Sequence, residues 1–202
     1  MKILVACEES QAVCKAFRAK GHEAYSCDIL PCSGGHPEWH IQGDAIKEAY
    51  SGKYDLMVAH PPCTYLSNAG ARFLWAGHKL NEERYKNGLD GKEFFMKLLN
   101  APIEKICVEN PVSSLIFKMP KFSQEIQPYQ FGHPYSKKTR LWLKNLPLLI
   151  PTKILSEYKP YLPSNTGGAK RNQSHNSGVS KNAKESSKTF QGIASAMAEQ
   201  WG

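Results

Sequence analysis

A cysteine stands directly after two prolines, Pro61-Pro62-Cys63, at the end of a short apolar run, Leu56-Met57-Val58-Ala59. Proline has no backbone donor and a fixed φ, so the pair ends the strand and makes a stiff turn that holds Cys63 at a sheet edge. In open α/β sheets the crevice beyond the carboxyl ends of the strands receives ligands. A thiol delivered there reads as a placed nucleophile, and equally as a small buried cysteine after a strand. Glu109 and Asn110 follow the apolar Ile106-Cys107-Val108 and emerge on the same rim. A carboxylate in that place is costly to desolvate unless paired, which raises its pKa and makes the acid a useful proton donor. A cap or turn is the competing role. Lys138 and Arg140, two apart in a strand pattern, face the same way and suit a phosphate or the polar edge of a base, or else a solvated basic edge.

These groups need a scaffold, and the first 28 residues supply its opening. Ile3 to Cys7 reads as a strand. Ser10 is a candidate cap for a helix with Ala12, Val13, Ala16 and Phe17 on one face, ended by Gly21, and Glu23 to Asp28 reads as the next strand. Such a unit opens a nucleotide-type α/β fold. Asp28 ends the second strand about 20 residues after the first turn, where an acid accepts hydrogen bonds from ribose hydroxyls or merely sits in a surface turn. Asp44 is a cap for Ala45 to Tyr50 and a candidate neighbour of an adenine. Residues 64–80 combine small residues with Arg72, Phe73 and Trp75, as a closing loop would, though a helix over 71–76 is favoured. A further helix is expected from Gly91 to Asn100, burying Phe94, Phe95, Leu98 and Leu99. The last segment repeats Phe190, Ile193, Ala194, Met197, Ala198 and Trp201 at helical spacing and should dock on the core.

The chain has 202 residues, enough for one α/β core and no second full domain. No apolar run approaches the roughly 18 residues of a membrane span, and the amino-terminal residues lead straight into a strand, so a soluble, cytoplasmic protein is expected. The six cysteines lack paired spacing, which argues against a zinc site or a disulfide scaffold and leaves no metal expected. The net charge is +8, and residues 151–189 hold seven basic and two acidic side chains, a balance that favours a polyanionic partner. Residues 159–189 are poor in apolar side chains and read as a flexible basic loop. The expected organisation is a core over 1–150, that loop region over 151–189, and a docked helix over 190–202.

In order, these elements resemble the DNA (cytosine-5) methyltransferases. Pro61-Pro62-Cys63 with Ser67 looks like the family's catalytic loop, and Glu109-Asn110-Pro111 like its Glu-Asn-Val motif. Ser136 to Arg140 looks like a degenerate Gln-x-Arg-x-Arg motif. Ser26 to Ile29 and Gly43-Asp44 stand where cofactor contacts fall, and the terminal helix stands where the last motif returns to the cofactor. The likeness covers about residues 2–145 and 188–202. It implies a single-domain, Rossmann-like S-adenosylmethionine-dependent methyltransferase fold acting on DNA as a monomer. Cys63, Glu109 and Arg140 would be catalytic. Ala6, Glu8, Ser10, Asp28, Ile29, Asp44, Pro61 and Ala194 would lie against S-adenosylmethionine, and Ser67, Asn110, Lys138, Lys170 and Arg171 against substrate. The implied chemistry is addition of Cys63 to carbon 6 of cytosine, with Glu109 on the ring nitrogen and exocyclic amine, Arg140 or Lys138 activating the thiol, and carbon 5 attacking the sulfonium methyl.

Two departures stand out. The glycine-rich cofactor loop of the family is here Val5 to Gln11 without a glycine, so Glu8 or Ser10 must take over its contacts or the cofactor sits differently. Only about 45 residues replace the target-recognition region, similar to short enzymes of bacterial viruses, so long sequence readout is not expected. The alternatives are methylation of RNA, of a free cytidine nucleotide or of an exocyclic amine, and a non-catalytic nucleic-acid binder of the same fold.

Overall fold

Three continuous apolar runs form the centre of one sheet, and each is buried on both faces, as parallel strands covered by helices must be. The computed structural model describes residues 1–71, 73–161 and 187–202. In chain order the elements are β1 (Lys2–Ala6), α1 (Ala12–Ala19), β2 (Glu23–Asp28), β3 (His40–Gln42), α2 (Ala45–Ala49), β4 (Leu56–Ala59) and a short α3 (Asn68–Ala71). There follow β5 (Trp75–Ala76), β6 (Lys79–Leu80), α4 (Glu82–Leu99), β7 (Lys105–Pro111) and β8 (Gln124–Ile126). The chain continues through β9 (Tyr135–Ser136), β10 (Thr139–Lys144), β11 (Lys159–Pro160) and α5 (Gln191–Trp201). The main sheet has seven strands in the order β3-β2-β1-β4-β7-β10-β8. The first five are parallel, and β10 runs antiparallel to both β7 and β8. This is a Rossmann-like fold in which the chain winds outward from β1 to β3, then restarts at β4 on the other side.

Alternation along the strands divides the core in two. Ile3, Val5, Leu56, Val58, Cys107 and Leu141 pack under α1 and α5. Leu4, Ala6, Met57, Ala59, Ile106, Val108 and Trp142 pack under α2 and α4. The terminal helix docks as its spacing predicts: Ile193, Ala194, Met197, Ala198 and Trp201 are buried, and the Trp201 indole donates to the Pro147 carbonyl at 3.1 Å. All six cysteines are free thiols.

Three local expectations are corrected. The cap position of α1 is Gln11 with φ 59°, and no side chain of its own caps the helix, so Ser10 does not fill that role. The expected helix over 71–76 is instead α3, which ends at Ala71, followed by the hairpin β5-β6 turning at Gly77 with φ 63°. The helix expected from Gly91 starts at Glu82, because the Asn81 side chain accepts from the Arg84 amide at 3.0 Å and the two acids behind it suit a first turn.

Gly88 and Gly91 weaken the apparent helical pattern of α4, yet Gly88 has a packing reason: a β-carbon there would lie 2.2 Å from the Phe117 ring. Glycine to alanine ordinarily stabilises a helix interior by about 0.5–1 kcal/mol. Gly88→Ala is expected to do the reverse, lowering stability by about 1–3 kcal/mol through overpacking, read from the urea midpoint at unchanged slope.

Candidate active site

The strand order reverses between β1 and β4, and the carboxyl ends of the parallel strands converge there. β1 delivers Cys7 and Glu8, β4 delivers His60 and the Pro61-Pro62-Cys63 turn, and β7 carries Glu109 and Asn110 just before its last residue. Because β10 is antiparallel, its start brings Lys137 and Thr139 to the same rim. The turn is fastened from the neighbouring strand: buried Asn110 donates through Nδ2 to the Pro61 carbonyl at 3.0 Å. Beyond Cys63 the chain folds on itself, with the Ser67 amide donating to the Cys63 carbonyl at 2.8 Å and the Ser67 hydroxyl accepting from the Gly70 amide at 3.2 Å.

His60 and Glu109 face one another across β4 and β7, Nδ1 to Oε2 at 3.1 Å, with side chains only 10% and 17% exposed. Burial pushes the Glu109 carboxyl up, but the His60 hydrogen bond and charge, with Lys137 adding to them, outweigh burial and hold it below its ordinary range. Burial likewise pushes His60 down, and the hydrogen bond and charge of Glu109, helped by Glu8, reverse that and raise it. The expectation of a raised carboxyl at Glu109 is therefore corrected: its partner is the residue directly before the diproline. Burial, then the Glu109 charge, raises the Cys63 thiol, while Lys137 opposes them. At rest Cys63 is a thiol.

Arg140 and Lys138 do face the same way, since both reach Glu125, each at 3.4 Å. Arg140 also lies over the Phe122 ring at 4.4 Å. In register Arg140 is opposite Asn110 and Leu141 is opposite Glu109, so Arg140 lies on the sheet face away from Glu109. The cation that acts on Cys63 and Glu109 is Lys137 instead.

At the end of β2, Asp28 accepts from the Leu30 amide at 2.9 Å, and the next residue, Ile29, is 76% exposed. Asp44 caps α2 by accepting from the Ile46 amide at 2.8 Å. Burial first, then the charge of Asp28, Cys27 and Asp44, raises the Cys7 thiol, so both aspartates border one spot. Two acids and an open apolar side chain at the ends of β2 and β3 fit an adenosine. The turn after β1 differs. Glu8, 4% exposed, accepts from the Val13 amide at 2.7 Å and the Cys14 amide at 3.2 Å, so a carboxylate of the chain itself caps α1. A bound S-adenosylmethionine would meet an acid there, which suits its ammonium group and not its carboxylate. Ala6 is buried, and its carbonyl accepts from the His60 amide at 2.9 Å; Pro61 is buried; Ala194 is fully enclosed in the core and offers a ligand no surface. Lys170 and Arg171 lie outside the described residues.

Four contributors were not among the residues singled out from the sequence. Besides His60 and Lys137, Gln11 donates to the His36 carbonyl at 2.8 Å and accepts from the His36 amide at 3.0 Å, pinning the loop after β2. Arg84 donates to the carbonyls of Thr64 and Gly70 at 3.2 and 3.3 Å and lies over the rings of Tyr65 and Phe73, so α4 holds the segment after Cys63 in place. The signal for Arg84 was its place three residues after a capping asparagine. Lys137 lies inside the basic motif Ser136 to Arg140, and His60 and Gln11 carried no signal of their own. Among the described residues, no group of His, Cys, Asp or Glu is arranged to hold a metal ion, and no helix is long and apolar enough to cross a membrane.

No family model matches the sequence, and no curated protein does. Among solved structures, the chain is similar to an Escherichia coli prophage protein described as a DNA modification methyltransferase, with a TM-score of 0.45 at 11% identity over 76% of this chain and 51% of that one. It is similar to the Entamoeba histolytica methyltransferase EhMeth, with a TM-score of 0.48 at 13% identity over 77% of this chain and 57% of that one. It is also similar to a mutant of Spodoptera frugiperda DNMT2, with a TM-score of 0.39 at 17% identity over 82% of this chain and 56% of that one. The chain spans a little over half the length of these proteins.

The buried pair has a pH signature. Glu109, held below its ordinary 4.5, contributes stability above that value that is lost as pH falls through its folded pKa. His60, raised above 6.5, contributes stability below that value that is lost as pH rises through its folded pKa. Glu8, raised from 4.5 by burial, acts in the opposite sense to Glu109. Subtracting a Glu109→Gln profile isolates the pair: the wild-type advantage should be greatest between about pH 4.5 and 6.5, of order 3–5 kcal/mol, and shrink on both sides. Urea unfolding across pH 3–9 measures it.

Proposed function

We propose that this protein is an enzyme that transfers a methyl group from S-adenosylmethionine to carbon 5 of cytosine in DNA. The observation that supports this most is the meeting of Cys63 with Glu109 and Lys137 on the rim where β1 and β4 part, beside the acids that suit an adenosine. The cofactor, when bound, supplies an electrophilic methyl on its sulfonium. Asp28 and Asp44 hold the nucleoside, Ile29 gives its base an apolar surface, and Glu8 stands at the methionyl end. Carbon 5 of cytosine is a poor nucleophile, so Cys63 adds to carbon 6 while Glu109 bonds the ring nitrogen and exocyclic amine. Asn110 fixes the turn that aims the sulfur, and Lys137 favours the thiolate. The target base must leave the duplex at a cost of a few kcal/mol, offset by backbone contacts from the basic stretch that contains Lys170 and Arg171. An aromatic side chain in place of Cys63 would suit amine methylation; a thiol there suits carbon.

Cys63→Ala is expected to abolish methyl transfer while S-adenosylmethionine still binds in calorimetry, and DNA carrying 5-fluorocytosine should trap a denaturant-resistant adduct with the wild type. An undiminished rate in Cys63→Ala defeats the assignment. Glu8 at the start of α1 favours one other reading, a nucleic-acid binder without cofactor, for which the same titration gives no heat. Exchanging Lys170 and Arg171 for alanine should weaken DNA binding across sequences and reduce the salt slope by about 1 for each phosphate that is no longer neutralised.

A further inference from the structure

With the cytosine reading as its premise, we infer that His60 is a positioning residue that stores the proton Glu109 hands to the base. The ring's one side-chain hydrogen bond is Nδ1 to Glu109 Oε2 at 3.1 Å, and its Nε2 is buried without a partner among the described residues. A ring held by a single contact is oriented by that contact. The charged groups that act on it are Glu109 from β7, Glu8 after β1 and Lys137 before β10, and Cys63 in its own turn feels the same carboxylate. Two acids against one lysine favour the imidazolium, so the resting pair carries one proton, on the ring, and the carboxylate has none to give.

Addition of Cys63 to carbon 6 pushes an electron pair onto the ring nitrogen, which must gain a proton. The Cys63 S–H bond breaks with its proton passing to water, the sulfur–carbon 6 bond forms, and the nitrogen takes its proton from Glu109 as Glu109 takes one from His60 Nδ1; the former carbon 5–carbon 6 π pair, now between carbons 4 and 5, is then available to the methyl donor. His60 ends neutral, Glu109 ends as the carboxylate it began as, and the nitrogen is protonated. While the proton rests on Glu109, the negative charge that opposes ionisation of Cys63 is absent. One proton shift therefore supplies the acid and releases the nucleophile.

His60→Asn keeps an N–H donor beside Glu109 but has no proton to pass on. In steady-state methylation of cytosine DNA, its kcat should fall about 100-fold near pH 7.5, and the alkaline limb of the kcat profile should move to lower pH, where Glu109 protonates from solvent. An equal loss at every pH with the limb in place would mean a purely structural role and overturns the inference. A second measurement does not depend on activity. In nitrogen-15 spectra of histidine-labelled protein, His60 should titrate above 6.5 in the wild type and lower in Glu109→Gln. A wild-type midpoint at or below 6.5 overturns the stored proton, even in an active enzyme and even if His60→Asn fails to fold. Absence of an adduct with 5-fluorocytosine DNA defeats the premise instead.

Discussion

Everything at this rim depends on burying an imidazole and a carboxylate in contact where β4 meets β7. Taking two such groups out of water costs several kcal/mol each, repaid only if they meet in good geometry. The sheet guarantees that they meet. Val58 is opposite Cys107 in parallel register, so the residues two further along each strand, His60 and Glu109, point to the same face. Pro61 and Pro62 cannot continue the ladder, which frees the chain to leave the sheet immediately after His60. Asn110, one residue past Glu109 and pointing the other way, holds the departing chain by the Pro61 carbonyl. Consecutive residues of β7 thus serve the two faces, Glu109 for charge and Asn110 for shape.

The pair also sets the reactivity of its neighbour. Cys63 is placed by the turn and not activated by it, since burial and the Glu109 charge both favour the thiol. Interacting groups titrate together, so the state of the thiol is a property of the cluster of His60, Glu109, Lys137 and Cys63 and not of any one member.

The parts of the fold carried by local pattern were legible in the sequence. β1, β2, β4, β7 and the terminal helix follow from apolar runs and periodicity, and Asp28, Cys63 and Glu109 fall on one rim because each lies at or near the carboxyl end of a parallel strand. What could not be read depends on contacts distant in sequence. The ionisation of Glu109 is decided by His60, 49 residues earlier, a residue that no local pattern singles out. The basic motif placed the right kind of side chain near the rim, but the pairing of β10 with β7 puts Thr139 on the Glu109 side and Arg140 on the other, and it is Lys137, in the turn before β10, that comes close to Glu109. The early start of α4 was hidden by Gly88 and Gly91, residues that lower helix propensity and are tolerated because Phe117 fills the space above Gly88.

The glycine-free loop after β1 is explained by the same economy of charge. A helix start leaves unpaired amides and a partial positive charge, which a ligand's anion satisfies in many nucleotide folds. Here Glu8 satisfies them from within, so α1 needs no ligand to complete its first turn, and a glycine is no longer needed for close approach of an outside anion. The exchange has two consequences. Gln11 takes a left-handed conformation, φ 59°, to carry the chain from Glu8 into the helix, and its side chain then reaches across to hold His36. The open polar and apolar groups of this rim lie instead at the ends of β2 and β3, where Asp28, exposed Ile29 and Asp44 stand in sequence. Glu8 links the two halves of the rim, capping the helix on one side and adding its charge to those that favour the His60 cation on the other.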